Sequence, residues 1–258
     1  MIVLFDIGNT HTHVGLAGGQ RVTRHFDVPT KDWQNGASQR AARKFLARDK
    51  PTGAALCSVV PAATRLVARF LRDEWRVPIL ELTAETVRGV GIDYPAPHTI
   101  GPDRLANAVA VKTHFGAPSV VVDFGTAVTF DVVDRKGNYI GGIIAPGLAA
   151  MTDYLHEKTA LLPRIRMREI SSVVGKNTEQ AMLIGAVHGY RGLIRQLLTE
   201  LKGALRCHRL PVVATGGYGQ LIAAKLPEIT AVEPLLTLEG LRLVWEARHT
   251  ARGTGGDL

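Results

Sequence analysis

Two segments of this chain share one pattern. Val3-Leu4-Phe5-Asp6-Ile7-Gly8-Asn9-Thr10 and Val120-Val121-Val122-Asp123-Phe124-Gly125-Thr126-Ala127 each run an unbroken apolar stretch into Asp-x-Gly and a small polar residue. An unbroken apolar run of this length is a strand buried on both faces. A second strand-like run follows each, at Thr12–Ala17 and Val128–Val133. The arrangement predicts a duplicated α/β chain, with a carboxylate at the end of one buried strand in each half.

The rest of the chain fits that frame. Arg21–Val28, Ala54–Val60 and Pro78–Leu82 read as further strands of the first half, with helices over Arg40–Arg48, Ala62–Glu74 and Asp103–Phe115. Gly89–Pro102 reads as a loop rich in Gly and Pro. In the second half Ser119–Val122, Asn138–Ile144 and Pro211–Ala214 read as strands and Thr178–Leu201 as one long helix. A last helix starts near Thr237, read as its N-cap, and carries Leu241, Val244 and Trp245 inward. Strands alternating with helices imply mixed sheets flanked by helices. The predicted division is 1–115 and 116–258. Trp33–Ser38 reads as a surface loop, and Met151 and Met182 as core fillers.

Composition removes several classes of function. Apolar residues make up 46% and charged residues 21% of 258 residues, too apolar for a disordered chain. The net charge of +8 admits nucleic acid, acidic lipid or phosphorylated small molecules. The basic residues are dispersed, however, with no interleaved aromatics, which argues against nucleic acid. Two cysteines, Cys57 and Cys207, build neither a disulfide framework nor a zinc site. They read as free thiols of a reducing cytoplasm. No run approaches the ~18 apolar residues of a membrane span, and Met1–Asp6 lacks the features of a signal peptide. A soluble cytoplasmic protein is expected.

The common nucleotide signatures are absent. Gly175-Lys176 lacks the upstream glycine of a P-loop, and Gly217-Tyr218-Gly219 does not continue into G-x-G-x-x-G. Asp6-Ile7-Gly8-Asn9-Thr10 carries a different inventory. Gly8 lets a phosphate approach the backbone, Asn9 and Thr10 add donors, and the Asp faces a metal or its waters. An ordinary Asp-Gly-Asn hairpin turn is the competing reading; the recurrence at Asp123 favours the phosphate loop. Gly101-Pro102-Asp103-Arg104 opens a helix. Asp103 there is a cap or a base, and Arg104 can fork a carboxylate.

These residues resemble a known family. Asp-x-Gly-Asn-Thr at 6–10, Gly-x-Asp-Arg-x-Ala-Asn at 101–107, Asp-x-Gly-Thr-Ala-x-Thr at 123–129 and Gly-Gly-x-Ile-x-Pro-Gly at 141–147 are similar to motifs of type III pantothenate kinase. Thr159-Ala160-Leu161-Leu162-Pro163, Thr215-Gly216-Gly217 and Leu238-Glu239-Gly240-Leu241 resemble its later motifs, in the family's order. Some relatives were first described as accessory factors for transcription. The resemblance implies the actin-like, sugar-kinase-like fold with two ribonuclease-H-like halves. It implies ATP-dependent phosphorylation of pantothenate to 4′-phosphopantothenate, the first step of coenzyme A biosynthesis, by a homodimer. It also implies a divalent metal such as magnesium and a monovalent cation, potassium or ammonium.

The resemblance further assigns residues. The ATP-phosphate segment falls on Asp6, Ile7, Gly8, Asn9, Thr10, His11, Thr12 and His13, with a further ATP contact at Thr126. The catalytic base falls on Asp103, and pantothenate contacts fall on Tyr94, Gly101, Pro102, Asp103, Arg104 and Thr178. The monovalent-cation ligand falls on Asp123. A sugar or other alcohol as acceptor is one alternative; Tyr94 and Gly101–Arg104 argue against it, since a sugar site needs more Asn, Asp and Glu. A regulator binding nucleotide or DNA is another; the intact Asp6, Asp103 and Asp123 argue against it. His11 and His13 are read as strand or phosphate-proximal residues over a metal pair, and Tyr218 as an adenine contact or a packing residue.

Overall fold

The computed structural model describes residues 1–253, with side chains through residue 250. The chain divides into two compact units, Met1–His114 with the chain from Leu235, and Phe115–Pro234. In the first unit β1 (Ile2–Ile7), β2 (His11–Gly18) and β3 (Arg21–Pro29) precede α1 (Ala37–Phe45), β4 (Gly53–Ser58), α2 (Pro61–Trp75) and β5 (Ile79–Glu81). The two-residue strand β6 (Gly91–Ile92) lies in the loop before α3 (Pro102–Phe115). The second unit holds β7 (Ser119–Phe124), β8 (Ala127–Val133), β9 (Asn138–Pro146), α4 (Leu148–Lys158), α5 (Thr178–Ile184), α6 (Tyr190–Ala204), β10 (Val212–Thr215), α7 (Gly219–Ala223) and β11 (Ala231–Val232). Helix α8 (Leu236–Gly253) belongs to the first unit, whereas the sequence reading extends the second half to the C-terminus.

The duplication is real at the level of topology. The first sheet runs β3-β2-β1-β4-β5, and β9-β8-β7-β10-β11 lie in the same order in the second. In each, the central strand pairs antiparallel with the strand that follows it and parallel with a later one. The two Asp-x-Gly turns therefore occupy equivalent places, at the end of the central strand of each sheet.

Alternation across β1 separates core from site. Val3, Phe5 and Ile7 point into a core with Val14, Leu16, Leu56, Val67 and Phe70. Leu4 and Asp6, one residue out of phase, point to the opposite face. Trp33 belongs to that core, not to a surface loop: it is 1% exposed and sits in a short 3₁₀ turn, Thr30–Trp33. Its indole packs edge-on against Phe5 and Phe70 and donates to Thr12 Oγ1 at 3.1 Å. Burying an aromatic of this size stabilises by roughly 2–3 kcal/mol, which outweighs the turn-like local sequence.

Other elements depart from the sequence reading for local reasons. The helix expected over Thr178–Leu201 is interrupted by a wide π-type turn at Gly185–Gly189, bounded by glycines that favour the helix weakly. Thr237 lies inside α8 and caps nothing; its hydroxyl donates to Asn107 Oδ1 on α3 at 2.8 Å. Met151 stands on α4 at 38% exposure, while Met182 is buried as expected. In the second unit Arg191 is buried and holds Glu169 with two bonds of 3.1 and 2.6 Å, tying the irregular segment before α5 to α6.

Candidate active site

The face of the first sheet opposite its aromatic core carries a row of polar side chains. Strand register places Cys57, Asp6, His13 and Asp27 side by side on β4, β1, β2 and β3. Directly paired residues share a face with Cβ atoms about 5 Å apart. The buried Cys57 thiol donates to Asp6 Oδ1 at 3.4 Å. His13 Nδ1 bonds Asp27 Oδ1 at 2.7 Å. That bond holds the Asp27 carboxyl below its ordinary range.

The turn after Asp6 is tied down from inside. Gly8 N–H donates to the His11 carbonyl at 3.0 Å, and the Gly8 carbonyl accepts from the Thr30 hydroxyl at 2.7 Å. Asn9 and Thr10 are exposed at its tip. Ile7 and Thr12 are fully buried on the core side, so they can offer a ligand only backbone groups. His11 and His13 have ring centroids 6.4 Å apart. Among the described residues no group of three or more His, Cys, Asp or Glu could hold a metal ion.

Helix α3 supplies the second carboxylate. Pro102 and Asp103 fit its first turn, where a missing N–H and a negative charge are both favourable. Leu105–Val111 are all buried, so the helix is a core element and its first turn is fixed. Asp103 Oδ1 accepts from the Arg104 N–H at 2.9 Å. A Cβ on Gly101 would lie 2.5 Å from that same oxygen, so only glycine leaves the Asp103 carboxylate its place. Burial pushes the Asp103 carboxyl up, against the pull of the Arg104 N–H and guanidinium. Burial likewise pushes Asp6 up to about 6, opposed first by His13 and reinforced by Asp103. Two buried carboxylates, of which Asp103 raises the proton affinity of Asp6, are arranged for charge and proton handling. Tyr94, in the loop before α3, is exposed.

The second unit repeats the row in shorter form. Thr215, Asp123 and Thr129 lie side by side on β10, β7 and β8, on the face opposite the core of that unit. Gly216, at φ +82°, presses on this carboxylate: a Cβ there would meet Asp123 Oδ1 at 2.5 Å and the Phe124 backbone at 2.7 Å. Thr126 is exposed in the turn between β7 and β8. Thr178 is the exposed first residue of α5, whose cap is Asn177, accepting from the Gln180 N–H at 2.9 Å. Tyr218 packs its ring on the core of the unit and also lines a cleft with Thr152, Asp153, Arg164 and Met167.

Within the first unit, then, the structure brings Asp6, His13 and Asp103 together. Within the second it places Asp123 beside the turn of Thr126. Cys57, Asp27 and the roles of Gly101 and Gly216 escaped the sequence reading; only strand register and backbone approach reveal them.

Residues 2–200 match the family described as Type III pantothenate kinase. The chain belongs to this family. A type III pantothenate kinase of Akkermansia muciniphila is 46% identical over 242 residues, 93% of this chain and 96% of the relative. That of Methylacidiphilum infernorum is 41% identical over 246 residues, 95% of this chain and 88% of the relative. The type III pantothenate kinases are phosphotransferases that phosphorylate pantothenate in coenzyme A biosynthesis, and this chain is one of them.

Solved structures place the fold of this pantothenate kinase. A conserved putative Baf family transcriptional activator from Campylobacter jejuni superposes with a TM-score of 0.57 at 19% identity, over 96% of this chain and 99% of the other. MreB 5 of Spiroplasma citri bound to AMPPNP gives 0.54 at 10% identity, over 98% of each chain. A putative N-acetylglucosamine kinase from Porphyromonas gingivalis gives 0.50 at 12%, over 96% of this chain and 100% of the other. The fold is α/β, two mixed sheets flanked by helices, like that of actin-like ATPases and sugar kinases.

Proposed function

We propose that Asp103 is the general base of the kinase reaction, with ATP as phosphoryl donor. The carrying observation is the Asp103 carboxylate, held at the first turn of a buried helix and raised above its ordinary range beside Asp6. The primary hydroxyl of pantothenate bonds to the γ-phosphorus, the bond to the β–γ bridging oxygen breaks, and the hydroxyl proton goes to Asp103. Proton acceptance by a positioned carboxylate is worth most when its pKa approaches the working pH, and burial moves Asp103 in that direction. Arg104, adjacent on the same turn, suits the pantothenate carboxylate as a bidentate fork. Gly101, Pro102, Tyr94 and Thr178 are assigned to the same substrate, and Asp6–His13 and Thr126 to ATP.

The residues present fit these ligands. The internally tied turn at Gly8 and the exposed Asn9 and Thr10 form a rigid, polar rim that suits phosphate. A divalent ion bound through substrate phosphates and waters needs only one or two carboxylates, which agrees with the lack of a larger acidic cluster among the described residues. Such an ion offsets triphosphate charge when bound. Asp123 is assigned to a monovalent cation, because a second carboxylate facing phosphates needs a compensating positive charge. Turnover of pantothenate should accordingly saturate with added potassium or ammonium and be very low in sodium or Tris. An ATP-consumption assay in each salt decides this; full activity in sodium alone removes the cation from Asp123.

A homodimer acting in the cytoplasm completes the proposal. No helix among the described residues is long and apolar enough to cross a membrane. The second unit exposes Ile144 at 65%, Tyr154 at 61%, Leu161 at 90% and Val173 at 77%, apolar side chains that a second copy would cover. Light scattering should return about twice 27.8 kDa, and Tyr154→Lys should shift the population toward monomer. A monomeric wild-type protein at micromolar concentration overturns the dimer.

A further inference from the structure

Asp27 has no place in the reaction as derived so far, yet it ends the row that begins at Cys57. It stands on β3, directly opposite His13, and the two side chains are about half exposed, at 52% and 45%. Exposed pairs of this kind contribute little to folding, so the contact needs another reason to matter. Its geometry is specific. The His13 bond holds Asp27 ionised, and a carboxylate has no proton to give. The hydrogen in the 2.7 Å contact is therefore on His13 Nδ1. The tautomer and the plane of the imidazole are both set by Asp27, in the way an outer carboxylate orients a metal-bound or catalytic histidine. His13 is in turn the cross-strand neighbour of Asp6, at the end of the segment that carries the phosphate turn.

We propose that Asp27 is a positioning residue for nucleotide binding: through its bond to Nδ1 it fixes the His13 ring beside Asp6, so that His13 meets the phosphates of ATP in one orientation. The inference rests on the assignment of Asp6–His13 to ATP and is independent of the acceptor. It gives the row Cys57–Asp6–His13–Asp27 a single logic, in which the outer residues orient the inner two. Asp27 also feels His11 and His25, so the test must isolate its coupling to His13.

Calorimetric titration of MgATP into the full-length protein does so, with Asp27→Ala, Asp27→Asn, His13→Gln and the Asp27→Ala/His13→Gln double variant. Asp27→Ala should weaken MgATP by about two- to fivefold, the range a half-exposed ion pair can carry, while the melting temperature and the KM for pantothenate stay in place. Asp27→Asn, whose amide oxygen still accepts from Nδ1, should recover part of the loss. In the His13→Gln background Asp27→Ala should add nothing, because its effect runs only through the ring. Nitrogen-15 shifts of His13 should report the Nδ1–H tautomer in the wild type and a mixture in Asp27→Ala. An unchanged MgATP affinity in Asp27→Ala, or an equal loss in both backgrounds, overturns the proposal and leaves the kinase assignment standing. A wild-type protein that does not bind MgATP overturns the ATP assignment of Asp6–His13 as well.

Discussion

Asp103→Asn is expected to lower pantothenate turnover by about 10²–10⁴-fold, the share a general base commonly carries, with the fold unchanged. The substitution is nearly isosteric. Its amide oxygen can still accept the Arg104 N–H that Asp103 Oδ1 accepts at 2.9 Å, and Asn is as good as Asp at a helix start. What disappears is the ability to take a proton. The pH profile supplies a second reading. Asp103 works only when ionised, so the wild-type rate should climb with pH as the carboxyl titrates. Burial raises that carboxyl, so the climb should lie above the ordinary aspartate range. The small residual rate of Asp103→Asn should keep only the limb that the Asp6 carboxyl, at about 6, contributes. A folded variant with near-normal turnover would remove Asp103 from the proton-transfer step.

The parts legible in the sequence are those set by local pattern. An unbroken apolar run ending in Asp-x-Gly identifies β1 and β7, because a strand buried on both faces admits no polar residue until it emerges. The place of Asp103 follows from Pro102 and the apolar run of α3. The parts that stayed hidden depend on partners distant in the chain. Trp33 sits among Gly, Asn and Lys and looks like loop, but Phe5, Phe70 and Thr12 make it core. Helix α8 returns to the first unit because Thr237 meets Asn107 and Leu238 packs over Gly15, contacts without a trace in spacing. Asp27 becomes a neighbour of His13 only once the β2–β3 register is known, and a slip of one residue would send it to the other face.

Asp6→Asn should abolish most activity and at the same time stabilise the ligand-free protein at neutral pH. The carboxyl titrates at about 6 in the fold against an ordinary 3.8, chiefly because burial penalises its charge. Between those values the folded state holds a proton that the unfolded chain has released. Stability therefore falls as pH rises through that window. The cost is absent below about 3.8 and fully present above about 6. A shift of this size corresponds to at most ~3 kcal/mol, and ~1–3 kcal/mol is the expected range after solvent screening. Asparagine carries no charge to desolvate, and its carbonyl oxygen can still accept from the Cys57 thiol, the bond seen at 3.4 Å. The variant should thus be more stable than wild type by ~1–3 kcal/mol at pH 8, with the gain shrinking toward zero at pH 4. Urea denaturation of both proteins at the two pH values, at equal concentration and without nucleotide, measures it. The loss of turnover follows from the same charge, which the site holds at a cost to the free protein in order to meet the ATP phosphates and their metal. Equal stability at pH 8, or a gain that does not fall with pH, would show that Asp6 is not held against its own desolvation.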